Sequence, residues 1–81
     1  MSKINLNQII SIVSKIVGVP SEQLDINSES SNFYKWDSLA QLNIIIEIEK
    51  KIGKKIDASM MGELTSIKLI VDHLKKLNVI S

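Results

Sequence analysis

Eighty-one residues, 44% of them hydrophobic, and a formal net charge of +1 bound what this chain can be. That length supports one small domain with one modest core, since so short a chain hides only roughly 60–65% of its unfolded surface. It contains no Cys, which excludes a disulfide framework, a thiolate zinc site and any thiol chemistry of its own.

The first apolar run is Ile9, Ile10, Val13, Ile16 and Val17, at helical spacing, with Asn5 or Asn7 available to start the turn. Gly18 ends this helix and Pro20 prevents its return. From Gly18 to Trp36 the chain is rich in Ser, Asn, Asp and Glu, with Leu24, Ile26, Phe33 and Tyr34 scattered through it. A loop of that length in a compact domain is usually functional, and its apolar residues are expected to pin it to the core. Trp36 belongs with them as an anchor.

Asp37 is a good N-cap, and a second helix is expected from Ser38 to about Ile52, stopped by Gly53. Ile56 to Gly62 reads as a short helical turn, with Met60 and Met61 filling gaps beneath it. Thr65 is expected to cap a last helix containing Ile67, Ile70, Val71, Leu74 and Leu77. Lys75 and Lys76 sit against the negative end of its dipole, and His73 reads as a surface residue. No repeat, low-complexity tract or strand alternation interrupts this pattern, so the fold class is all-α. Three main helices and one short helix form a small bundle, with a long loop between the first two.

At about 100° per residue, Leu42, Ile45, Ile48 and Ile52 gather on one side of the second helix and make a sufficient core stripe. Leu39 and Ile46 lie on a flank of that stripe, beside Asn43 and Lys50. They either widen the core contact or form a docking patch, to which Glu47 and Glu49 would add a partial acidic edge. Ser38 is the chemically suggestive residue. It stands one position inside a helix whose first N–H groups are unpaired, and the positive dipole end there favours an anion. A nucleophilic Ser normally needs a base and an acid, and one His with scattered carboxylates supplies no such set. A modified Ser38 therefore fits better than a catalytic one, although the local pattern alone equally describes an ordinary helix start.

Ten basic residues, all Lys, stand against nine acidic ones. That balance gives no reason to expect a nucleic-acid partner, and without Arg there is no bidentate reading of bases or phosphates. Met1 to Ile10 lacks the apolar core of a signal peptide, and no later stretch is long enough to span a bilayer. A soluble, cytoplasmic, monomeric domain is the expectation, with no metal site.

Asp37-Ser38-Leu39, opening an apolar helix that closes at Gly53, resembles the phosphopantetheine attachment site of acyl carrier proteins. The resemblance runs over nearly the whole chain. Val17-Gly18-Val19-Pro20 is similar to the family's first helix and turn, and Leu24, Asp25 and Phe33 fall where its long loop keeps anchors. Leu64-Thr65-Ser66-Ile67 and the helix after it look like the family's last helix. The resemblance implies a bundle of three main helices plus a short one, and 4′-phosphopantetheine held as a phosphodiester on Ser38. It implies that Asp37 serves the modifying phosphopantetheinyl transferase and its metal. Leu39 and Ile46 match positions that touch partner enzymes, with Asn43 and Glu47 beside them. The implied partners are that transferase, an acyl- or aminoacyl-loading ligase, and downstream transferases or synthases. Ala40, Asn43, Lys50 and Lys51 stand where fatty-acid carriers usually place acids, and Lys35-Trp36 stands where a Gly-containing pair is common. These departures point to a dedicated biosynthetic pathway. Residues 1–81 would then be a single carrier domain, not an enzyme. The alternative is a helical protein–protein docking module with Ser38 unmodified.

Overall fold

The structure, a computed structural model, describes residues 3–81. Met1 and Ser2, the start of the Met1–Ile10 stretch considered above, lie outside the described residues. Four helices follow one another: α1 (Leu6–Val17), α2 (Ser38–Ile52), the short α3 (Ala58–Met61) and α4 (Ile67–Lys76). Three of them are long enough to pack as a bundle, and no strand occurs among the described residues. The fold is the small all-α bundle that the sequence implies.

Each helix starts where a side chain can accept one of its orphan amides. Asn5 caps α1 and pairs with Gln8 in a reciprocal capping box, its Oδ1 accepting Gln8 N–H at 2.8 Å. Gly18 at φ 76° and Gly53 at φ 66° end α1 and α2 in the left-handed conformation that a side chain would resist. Ser66 caps α4, its Oγ accepting Leu69 N–H at 3.0 Å. The expected cap at Thr65 is thus displaced by one residue. Thr65 is engaged instead in the loop, where its carbonyl accepts Ser30 N–H at 2.8 Å.

The core is aliphatic. Ile9, Val13, Val17, Ile44, Ile45, Ile48, Ile52, Ile67, Ile70 and Leu74 are all at 0% exposure. On α1 the buried face is Ile9, Ile12, Val13 and Val17, with Ile10 and Ile16 half-buried at its margin. Ile12 therefore takes a share of the contact expected of its neighbours. On α2 the expected stripe needs a correction. Leu42 is 41% exposed, and the buried face begins at Gln41 and continues through Ile44, Ile45, Ile48 and Ile52. Leu42 lies about 100° round the helix from Gln41, which carries it off that face.

The loop between α1 and α2 is pinned as expected, apart from Tyr34. Leu24 and Trp36 are buried, and Ile26 and Phe33 pack against the core. Tyr34 is 97% exposed, so it anchors nothing. Two one-turn 3-10 helices punctuate the loop, Ser21–Gln23 and Ser30–Asn32. Its second half is stitched to the start of α4: Ile67 N–H donates to Ser28 O at 3.0 Å, beside an isolated bridge between Glu29 and Ser66. Met60 and Met61 pack from α3 against the core. His73, expected at the surface, is half-buried on α4.

Candidate functional site

The start of α2 is the point where these elements converge. Asp37 is extended, and its Oδ1 accepts Ala40 N–H at 2.9 Å while its carbonyl accepts Gln41 N–H at 2.8 Å. The second is the first bond of the helix ladder; of the three helical amides ahead of it, the first satisfies that of Ala40. Ser38 and Leu39 N–H are the ones left without an acceptor among the described residues. Ser38 is the first residue of the helix and is exposed. Its hydroxyl is reachable from solvent beside two free donors and the positive end of a fifteen-residue helix dipole.

This end of α2 is held from beneath by a residue that sequence reasoning missed. Gln41 is 7% exposed, and its amide makes three hydrogen bonds. Its Oε1 accepts the indole Nε1–H of Trp36 at 2.7 Å, and its Nε2 donates to Met61 O at 2.8 Å and Leu64 O at 2.7 Å. One side chain thus joins the segment before α2, the α3 terminus and the α3–α4 connection. Two sequence signals pointed to it. Gln41 is in helical phase with Ile44, Ile45 and Ile48, and a polar group on an apolar face must find partners. Five residues earlier, a buried Trp36 needed an acceptor for its N–H.

Above Gln41 lies an open cleft of about 430 Å³, walled by Ser38, Leu42, Met61, Gly62, Ser30 and Thr65. Asp37 is the one charged residue lining it. Farther along α2, Leu39 is 66% exposed and Asn43 is exposed, whereas Ile46 and Glu47 are half-buried. Neither Leu39 nor Ile46 belongs to the core cluster or packs against it, so neither widens the core contact: they lie on the outer side of the helix. Glu47 is paired with Lys50 at 3.2 Å, so the acidic edge is partly neutralised by its own helix. Ser38, Leu39 and the exposed Leu42 come together at one end, while Ile46 and Glu47 lie two turns away.

The geometry fits a prosthetic group bound through a phosphodiester. Such a group needs an accessible hydroxyl and nearby N–H donors, and Ser38 has both. Among the described residues no group of three or more His, Cys, Asp or Glu could hold a metal ion, and no helix is long and apolar enough to cross a membrane.

Comparison with known families points to the same kind of prosthetic group. The model of the family described as "Phosphopantetheine attachment site" matches residues 7–74 of this chain. That span runs from the first turn of α1 to Leu74 of α4, so the chain belongs to this family of acyl-carrier-like proteins. The family is defined by covalent attachment of 4′-phosphopantetheine to a serine, and its members are typically carriers that work with transferases and synthases. No curated protein matches the chain.

Proposed function

We propose that this chain is a single carrier domain whose Ser38 takes 4′-phosphopantetheine and which presents acyl or aminoacyl thioesters to the enzymes of a dedicated biosynthetic pathway. The observation that carries the reading is an exposed Ser38 at the first position of α2, flanked by free amides, inside the family span. On attachment Ser38 Oγ loses its proton to the transferase and displaces 3′,5′-ADP from the pyrophosphate of coenzyme A, becoming the bridging oxygen of a phosphodiester. The N–H groups of Ser38 and Leu39 are the donors available to that anion, at a helix end worth about 0.3–1 kcal/mol to a negative charge. Asp37 fixes the helix start, so the hydroxyl is offered to the transferase at a defined height above the bundle.

The chain has no thiol, and the group supplies one at the end of a long flexible arm. Tethering makes delivery to a docked enzyme intramolecular, at effective concentrations of roughly millimolar. The carrier itself only presents: partner enzymes activate, load and transfer. Leu39, with Asn43, Ile46 and Glu47 along the same outer side of α2, is the surface for the phosphopantetheinyl transferase, the loading ligase and the downstream transferases or synthases. The protein works as a cytoplasmic monomer.

Incubation of the purified protein with coenzyme A and a broad-specificity phosphopantetheinyl transferase tests this directly. Intact-mass analysis is expected to show one added phosphopantetheinyl group, absent in Ser38→Ala protein of unchanged circular dichroism. Folded wild-type protein that stays unmodified would leave the helical docking module as the reading.

A further inference from the structure

We infer that Gln41 is a specificity-determining residue for cargo: by closing the seam beneath the cleft it confines the carried group to the surface. It thereby selects a short acyl group bearing hydrogen-bonding substituents over a long alkyl chain. The inference rests on Ser38 carrying the arm, as proposed above, and adds the class of acyl group.

Three observations carry it. First, Gln41 lies between the cleft and the core. It lines the cleft while being 7% exposed, and the next residues on its face, Ile44, Ile45 and Ile48, are at 0%. Along the buried face of α2, this amide stands between the cleft and the fully buried Ile44, Ile45 and Ile48. Second, the amide is committed. Its bonds to Trp36 Nε1, Met61 O and Leu64 O span from the chain before α2 to the connection before α4. Parting α2 from α3 breaks the two carbonyl bonds together, and a dry alkyl chain offers the freed groups no replacement partner. Third, beside the apolar side chains of Trp36, Leu42 and Met61 the cleft has polar groups that only a hydrogen-bonding substituent can use. Ser30 and Thr65 line it, and their hydroxyls make no hydrogen bond among the described residues; the two are joined by Ser30 N–H donating to Thr65 O. The single charge lining the cleft is the carboxylate of Asp37, which suits a neutral or cationic substituent and disfavours an acidic one.

The experiment loads Ser38 with octanoyl- or alanyl-phosphopantetheine from the corresponding coenzyme A thioesters, using a broad-specificity transferase. Intact mass checks loading, and methyl NMR spectra report on Ile44, Ile45, Ile48, Ile67 and Ile70. In the wild-type protein the octanoyl group is expected to leave all five isoleucine methyl resonances where the unacylated arm leaves them. The alanyl group is expected to shift residues of the cleft, including Thr65 and Met61. In Gln41→Ala the octanoyl group is expected to move the resonances of Ile44 and Ile45. Core isoleucine shifts in octanoyl-loaded wild-type protein would overturn the inference alone, even if the Gln41→Ala variant failed to fold. An alanyl group that shifts nothing in the cleft would also overturn it. Wild-type protein that takes up no arm overturns the carrier reading, and this inference with it.

Discussion

Replacing Gln41 by Leu tests the architecture under Ser38. The substitution keeps the size of the side chain and removes every polar atom of it. Trp36 Nε1–H, Met61 O and Leu64 O then lose the partners they have at 2.7, 2.8 and 2.7 Å. A buried polar group left unsatisfied costs about 1–3 kcal/mol. The indole is 4% exposed and the Leu64 bond is buried, so these two dominate; Met61 O is part-buried and can be reached by water. Leucine returns some of the loss through apolar burial, leaving a net destabilisation of roughly 3 kcal/mol. A domain of this length has about 4–12 kcal/mol in total, so the loss is a large fraction of it. At about 4–8 °C per kcal/mol, Tm is expected to fall by roughly 12–24 °C.

Urea and thermal unfolding followed by circular dichroism measure that change, and Trp36 fluorescence reports the local environment. Gln41→Glu is expected to be worse than Gln41→Leu, because a carboxylate cannot donate to the two carbonyls and brings a buried charge against them. Trp36→Phe removes one bond from the same network. In the double variant with Gln41→Leu the indole penalty is counted once, so the two losses should sum to more than the measured total. A Gln41→Leu loss below about 0.5 kcal/mol, the size of an ordinary surface change, would refute the claim that this amide holds the site together.

Asp37→Ala removes the acceptor for Ala40 N–H and is expected to cost about 1 kcal/mol, measured by urea denaturation, along with a slower rate of phosphopantetheinylation by intact mass. Leu39→Ala, at a residue 66% exposed, is expected to change stability by less than about 0.5 kcal/mol while slowing transfer to partner enzymes; a larger loss in thermal unfolding would place Leu39 in the core. The backbone N–H and hydroxyl of Ser59 hold the Asp57 carboxyl below the usual carboxylate range. Its contribution to α3 is therefore complete above that range and is lost as pH falls through the lowered value. The protection of the Ser59 amide, measured as its exchange rate relative to that of an unstructured peptide at the same pH, should fall on acidification, and Asp57→Ala should remove that pH response.

Where one residue type settles a local geometry, the sequence was readable. Asp37 and Gly53 bracket α2 at the positions their chemistry dictates, since a capping carboxylate and a left-handed glycine have few competing uses. Ser38 followed from Asp37, because fixing the cap fixes which residue stands first in the helix. The errors occurred where a periodicity met a tertiary contact. Leu42 is apolar and close to the right phase, yet the place beside it on the buried face went to Gln41, whose partners at Met61 and Leu64 lie 20 and 23 residues away. No spacing rule on α2 contains that information. Thr65 and Ser66 are equally good caps by type, and the choice between them was made by the loop: Thr65 O is taken by Ser30 N–H, which leaves Ser66 to start α4. Hydropathy groups Tyr34 with the loop anchors, but the loop closes on the core through Val19, Leu24, Ile26, Phe33 and Trp36, and Tyr34 stays in solvent.

A carrier site must be exposed and fixed at once, and α2 reconciles these demands within a single turn. Ser38 and Leu39 face solvent because Asp37 and Gln41 absorb the constraints on either side of them. Asp37 ties the helix start to its own backbone, and Gln41 ties the next turn to the α3–α4 connection. A hydroxyl on a loop would be equally accessible, but its position would vary with every loop fluctuation, and each partner enzyme would have to order it on docking. Here the ordering is complete before any partner arrives, because buried contacts made by neighbours of Ser38 supply it. In the proposed carrier, the freedom needed for delivery then belongs to the arm on Ser38, and the bundle need not move with the cargo.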